Sequence, residues 1–124
     1  MIQARRSGPS AALALFLKHP EPGTVKTRLV EALGTERAAR FYWECALLVM
    51  AKALRLKRVE VYVFFTPPEK HAEVEALVMA QFGKFEGKFI AQTGADLGAR
   101  MHHALEYLNR LGFTHLLVLG TDSP

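Results

Sequence analysis

The strongest constraint on this chain is an alternation of two periodicities. Residues 12–17, 59–65 and 115–119 are short, nearly continuous apolar runs, and residues 88–92 form a weaker one between Gly87 and Thr93-Gly94. Runs of this length, rich in Val, Leu and Phe and bounded by turn residues, read as buried strands. Between them the spacing changes to 3.6. Residues 36–54, behind Thr35 as an N-cap, carry Ala39, Tyr42, Trp43, Ala46, Leu47, Met50 and Leu54 on one helical face. Residues 69–82 follow Pro67-Pro68 with Ala72, Leu77, Val78 and Phe82, and residues 97–111 run into Gly112 as a C-cap. A shorter helical turn is expected between Val25 and Gly34. Strands alternating with helices in this order predict an α/β fold with a mainly parallel sheet covered by helices.

Composition narrows the class. The chain has 124 residues, 50% of them hydrophobic and 23% charged, as in a soluble globular protein, so 1–124 reads as one domain. Cys45 is the one cysteine, which rules out an intramolecular disulfide and makes a cytoplasmic setting the expectation. Arg5 and Arg6 ahead of the apolar run imitate a signal peptide, but Lys18, His19 and Pro20 follow without a small-residue cleavage site. The run is also far shorter than the ~20 residues needed to span a bilayer, so no membrane partner is expected. A net charge of +4 suits an anionic ligand. Nucleic acid is not expected, because no strip of interleaved basic and aromatic residues appears. Arg55, Lys57 and Arg58 fall at a helix end, where cations complement the dipole.

Three stretches that follow strands carry the chemistry, the first two of them strand-to-helix loops. The first joins Lys18 to Leu29. Pro20 and Pro22 stiffen it, Gly23 lets backbone approach a ligand, and Lys26 and Arg28 follow around Thr24, Val25 and Thr27. Open backbone N–H groups with an ammonium and a guanidinium make a phosphate cradle. The alternative is an ordinary turn with solvated charges. Val25 stands where a P-loop has glycine before its Lys-Thr, which argues against a P-loop NTPase. The second loop spans Gln92 to Arg100. Gln92 can hydrogen-bond a base or sugar edge, Gly94 and Gly98 permit tight turns, and Asp96 can cap the next helix. The third is Gly120-Thr-Asp-Ser-Pro124. Asp122, beyond a strand, can hold Mg²⁺ or Mn²⁺ against a diphosphate, or can form an Asx-turn. His102 and His103 are adjacent on a helix and diverge, so they do not make the i, i+4 pair of a helical zinc site.

Together the stretches Phe16 to Leu29 (with Pro-Glu-Pro-Gly-Thr-Val-Lys-Thr-Arg-Leu at its centre), Thr66-Pro-Pro-Glu69, Asp96-Leu-Gly-Ala-Arg-Met101 and Gly120-Thr-Asp-Ser-Pro124 resemble the signature strings of the selenodomain-associated, glycosyltransferase-like family, within the nucleotide-diphospho-sugar transferase (GT-A) superfamily. The resemblance implies a three-layer, Rossmann-like GT-A fold, here truncated after the fourth strand. It implies a metal-assisted glycosyltransferase or nucleotidyltransferase using a nucleotide-activated sugar or a nucleoside triphosphate. Lys26, Arg28 and Asp122 would be catalytic, with the metal at Asp122. Pro22, Gly23, Thr24, Gln92, Gly94, Asp96, Gly98 and Arg100 would help hold the nucleotide. Most GT-A enzymes show Asp-x-Asp at the metal, whereas Ser123 and Pro124 follow a single Asp122 here. The acceptor-binding half of that fold is missing, so a non-catalytic nucleotide-binding or regulatory module is the alternative. The last strand would then lie at a sheet edge with its apolar side chains poorly covered, and a homo-oligomer is the expected remedy.

Overall fold

The computed structural model describes residues 11–83, 85 and 87–121. The elements run β1 (Ala11–Lys18), a 3-10 turn (Thr27–Leu29), α1 (Val30–Leu33), α2 (Thr35–Leu54), β2 (Val59–Thr66), a second 3-10 turn (Pro68–Lys70), α3 (His71–Phe82), β3 (Lys88–Ala91), α4 (Leu97–Arg110) and β4 (His115–Gly120). The four strands form one sheet in the order β3-β2-β1-β4, with every neighbouring pair parallel. This is the architecture expected from the alternation. Parallel neighbours need a crossover, and each helical stretch supplies one.

β1 lies at the centre because its sequence can be buried on both faces. Leu13, Leu15 and Leu17 face one way, with Val61, Val63 and Phe65 of β2, against Tyr42, Ala46 and Met50 of α2 and Val74 and Val78 of α3. Ala12, Ala14 and Phe16 face the other way, with Tyr62 and Phe64, against Ala104 and Leu108 of α4 and Phe113. The two faces make three layers, helix on sheet on helix. Small residues at 12 and 14 leave room for the rings of β2: Tyr62 meets Phe113 edge-on at 5.6 Å, and Phe64 meets Tyr107 at 5.9 Å.

The helices differ from the expected faces in phase. In α3, Ala72 is exposed and Val74 and Val78 are buried, because Ala72 lies six residues from Val78, roughly 240° around the helix. In α2, Ala38 and Ala53 join the buried face and Leu54 is exposed. The residue before α2 that takes the N-cap place is Gly34, with φ +84°, rather than Thr35, and no side chain caps that end.

The chain visits β1, β2 and β3 in one direction and then crosses back to place β4 on the opposite side of β1. The crevice at the carboxyl ends of β1 and β4 is therefore the switch point of the sheet, where open α/β folds take their ligands. β4 is one of the two outer strands among the described residues, β3 being the other. Leu116 and Val118 pack toward α4, whereas Leu117 and Leu119 on the other face are 47% and 39% exposed. Among the described residues, no helix is long and apolar enough to cross a membrane.

Candidate functional site

A cleft of about 630 Å³ opens at this switch point. Its floor is the end of β1 (Phe16, Leu17, Lys18) and of β4 (Leu119, Gly120) with Thr121 just beyond, and its walls include Tyr42 and Val49 of α2, Thr66, Gln92, Leu97 and Arg100. Lys18 and Arg100 bring positive charge to it, and no carboxylate stands among the described lining residues.

The two strand ends are joined by a short chain of hydroxyls. The Thr121 hydroxyl donates to Phe16 O at 2.8 Å, which commits its proton. Tyr42 Oη, 2.7 Å from Thr121 Oγ1, is thus left to donate to that oxygen, and it accepts from Lys18 N at 2.8 Å. Tyr42 and Thr121 are both buried. A helix side chain thereby ties β1 to the residue that leaves β4. Nothing in the sequence reading assigned these groups a role, although a tyrosine on a buried helical face is a signal in itself, because its hydroxyl needs a partner there. Lys18 was equally readable as the last residue of a central parallel strand.

The proline loop folds back on itself. Thr24 N bonds Glu21 O at 3.0 Å around Pro22 and Gly23, whose φ is +89°, the arrangement of a type II turn. The Thr24 hydroxyl donates to the same carbonyl, and Lys18 Nζ donates to Thr24 O at 2.6 Å. Gly23 is needed for its backbone angle: a Cβ there would meet only Thr35 Cγ2, at 3.9 Å. Val25 is buried beneath the loop. Lys26 is half-buried with φ +48°, Arg28 is exposed, and neither belongs to the lining of the cleft. Pro22 instead borders a second concavity of about 560 Å³ with Pro20, Arg40 and Trp43.

The Gln92 to Arg100 loop enters the cleft from the β3 side. Gln92 N continues the β2–β3 ladder by bonding Phe65 O at 2.8 Å. Asp96 caps α4, its Oδ1 accepting from Ala99 N at 2.8 Å. Gly98 is not a turn glycine, since it lies within the first turn of α4, where a Cβ would find an ordinary 3.5 Å contact. Gly94 is different. Its φ is +142°, its carbonyl accepts from Arg100 Nε at 3.0 Å, and a Cβ would come within 2.7 Å of Arg100 N and 2.8 Å of Ala99 C. We therefore expect Gly94→Ala to destabilise the protein by about 2 kcal/mol through backbone strain and overpacking, read as a lower urea midpoint with an unchanged slope. A change below about 0.5 kcal/mol would show that the loop moves aside freely.

The structure thus brings Gln92 and Arg100 together in the cleft, places Gly94 and Asp96 as their support, and sets Pro22, Gly23, Thr24, Lys26 and Arg28 in or after the neighbouring loop. Asp122 lies outside the described residues, directly after Thr121. Among the described residues, no group of three His, Cys, Asp or Glu side chains is placed to hold a metal ion.

Comparison with known proteins agrees with this geometry. The model of a family described as "Uncharacterized protein conserved in bacteria (DUF2064)" matches residues 49–124. A solved structure from Desulfovibrio desulfuricans G20, described as a "putative nucleotide-diphospho-sugar transferase", superposes with a TM-score of 0.78 at 31% sequence identity. The match covers 94% of this chain and 50% of that one, so the chain spans half the length of that protein. No curated protein matches the chain.

Proposed function

We propose that this chain, which belongs to the DUF2064 family, forms the nucleotide-binding part of a transferase that uses a nucleotide-activated sugar or a nucleoside triphosphate. The observation that carries the reading is the cleft at the switch point: it holds a lysine and an arginine, lacks a carboxylate among its described lining residues, and ends at a buried latch immediately before Asp122. The relative's assignment to nucleotide-diphospho-sugar transferases supports the same class. The loop strings further suggest the selenodomain-associated branch of that class, working in the cytoplasm.

A diphosphate is the group this lining suits. Arg100 offers a planar fork to two phosphate oxygens, and Lys18 offers a point charge beside it. Lys26 and Arg28 are proposed to reach the same anion from the proline loop, and Pro22, Gly23 and Thr24 to shape its wall. Asp122 would hold the metal, and a single carboxylate suits Mg²⁺ or Mn²⁺, hard cations that keep several waters when bound beside a diphosphate. A bound divalent ion would neutralise charge on the diphosphate as it departs. The protein's own part is positioning and preorganised positive charge, which stabilises the transition state more than the ground state.

Lys26→Ala and Arg28→Ala are each expected to weaken calorimetric affinity for a nucleoside diphosphate about tenfold, and unchanged affinity in both would remove these residues from the site. The class itself is tested by a thermal-shift screen of nucleotides and nucleotide-sugars with and without Mn²⁺, since a ligand that binds only the folded state raises the melting temperature by mass action. A metal-dependent rise supports the transferase. A second reading is nucleotide binding without turnover, and a rise indifferent to metal supports it. No shift with any nucleotide would overturn both.

A further inference from the structure

The side-chain amide of Gln92 is fixed in orientation by what surrounds it. Its Nε2 donates to Phe64 O at 2.8 Å and reaches Leu17 O at 3.5 Å, while its Oε1 accepts from Arg100 Nη1 at 3.4 Å. Turning the amide over would set an oxygen against two carbonyls and N–H donors against a guanidinium, so the hydrogen-bond network admits one orientation. Leu17 and Phe64 lie near the carboxyl ends of the adjacent strands β1 and β2. A continuous path therefore runs from the two central strands through Gln92 to the guanidinium.

Arg100 is held at a second point, where Nε donates to Gly94 O at 3.0 Å. Of the five N–H donors of a guanidinium, these two contacts use two and leave three for a ligand. Gln92 is also neutral. An acid in its place would pair with Arg100 and cancel its charge, whereas the amide orients the group and leaves its full charge to the cleft.

We infer that Gln92 is a positioning residue for Arg100: it touches no part of the nucleotide, and registers the guanidinium against the ends of β1 and β2 so that its fork meets a diphosphate. The inference rests on the nucleotide-diphosphate reading above for its ligand, and on the ligand-free geometry for the positioning itself. Its amide protons are already committed to backbone carbonyls, which distinguishes this role from recognition of a base or sugar edge.

The test has two arms, both on the full chain. In the first, inorganic pyrophosphate and UDP are titrated calorimetrically into the wild type, Gln92→Met, Arg100→Gln and the double variant. Gln92→Met is expected to weaken binding about tenfold when Arg100 is present and by less than about twofold when it is absent. An equal loss in both backgrounds would show Gln92 touching the ligand and overturn the inference, as would no loss in either. In the second arm, hydrogen exchange of the Arg100 Nε–H is followed by NMR without ligand, and faster exchange in Gln92→Met is expected. Unaltered exchange overturns the inference. If the wild type binds neither probe, the nucleotide reading falls, while the exchange arm still decides whether Gln92 positions Arg100. Should Gln92→Met fail to fold, Gln92→Glu replaces it. Its carboxylate is expected to pair with Arg100 and weaken pyrophosphate more than about tenfold, and undiminished affinity would count against positioning.

Discussion

Replacing Tyr42 with Ala is expected to lower the unfolding free energy by about 4 kcal/mol, and replacing it with Phe by about 2 kcal/mol. The two figures come from different physics. Tyr42 is fully buried in the layer between α2 and the sheet, so truncation to Ala removes a ring's worth of contacts and leaves a cavity. The Phe variant keeps the ring and removes one oxygen. It leaves Lys18 N without its acceptor at 2.8 Å and the buried Thr121 Oγ1 without its donor at 2.7 Å. Urea denaturation of both variants and of Thr121→Val, combined in a double-mutant cycle with Tyr42→Phe, gives the hydroxyl coupling directly. If Tyr42 were core filling alone, Tyr42→Phe would change stability by less than about 0.5 kcal/mol and show no coupling to residue 121. On the proposed function the latch has a second consequence, because it anchors Thr121, the residue that precedes Asp122 in the sequence. Tyr42→Phe should therefore weaken nucleotide binding in the presence of Mn²⁺ more than in its absence.

Much of this frame was legible in the sequence, and the reason is periodicity. Residues 12–17 carry no polar side chain, as suits a strand buried on both faces, and β1 holds that central position. The exposed Leu117 and Leu119 of β4 follow from the same logic, an apolar strand that lacks a covering layer on one face among the described residues. The cap at Asp96 was readable as well, because a short carboxylate before a helical run has a local partner in the backbone. What could not be read was set by contacts distant in sequence. Tyr42 meets Thr121 across 79 positions, and Gln92 meets Leu17 across 75. Neither pairing leaves a trace in spacing or composition. The sequence pointed to Lys26, Arg28 and Arg100, of which Arg100 lines the cleft together with Lys18, a cation given no role by the sequence. A charge's usefulness depends on which strand end it sits beside, and that requires the sheet order.

Asp122→Asn is expected to abolish the Mn²⁺ dependence of nucleotide binding, an effect of about 3 kcal/mol or ~10²-fold in affinity, while leaving the melting temperature of the ligand-free protein unchanged. Asparagine is chosen because it keeps the side-chain oxygen that an Asx-turn requires and removes the charge that a divalent ion requires. The two roles open to this residue thus separate in one variant. If Asp122 serves only the turn, Asn leaves both metal dependence and affinity as they were. The sign in the absence of metal provides a further check. Without an ion, the Asp122 carboxylate would repel the diphosphate that Arg100 and Lys18 are proposed to attract, so Asp122→Asn should bind a nucleoside diphosphate somewhat more tightly than the wild type in chelator. The affinity curves of the two proteins would then cross as Mn²⁺ is added. A variant that is weaker under both conditions by the same factor would place Asp122 in direct contact with the nucleotide and take the metal away from this site.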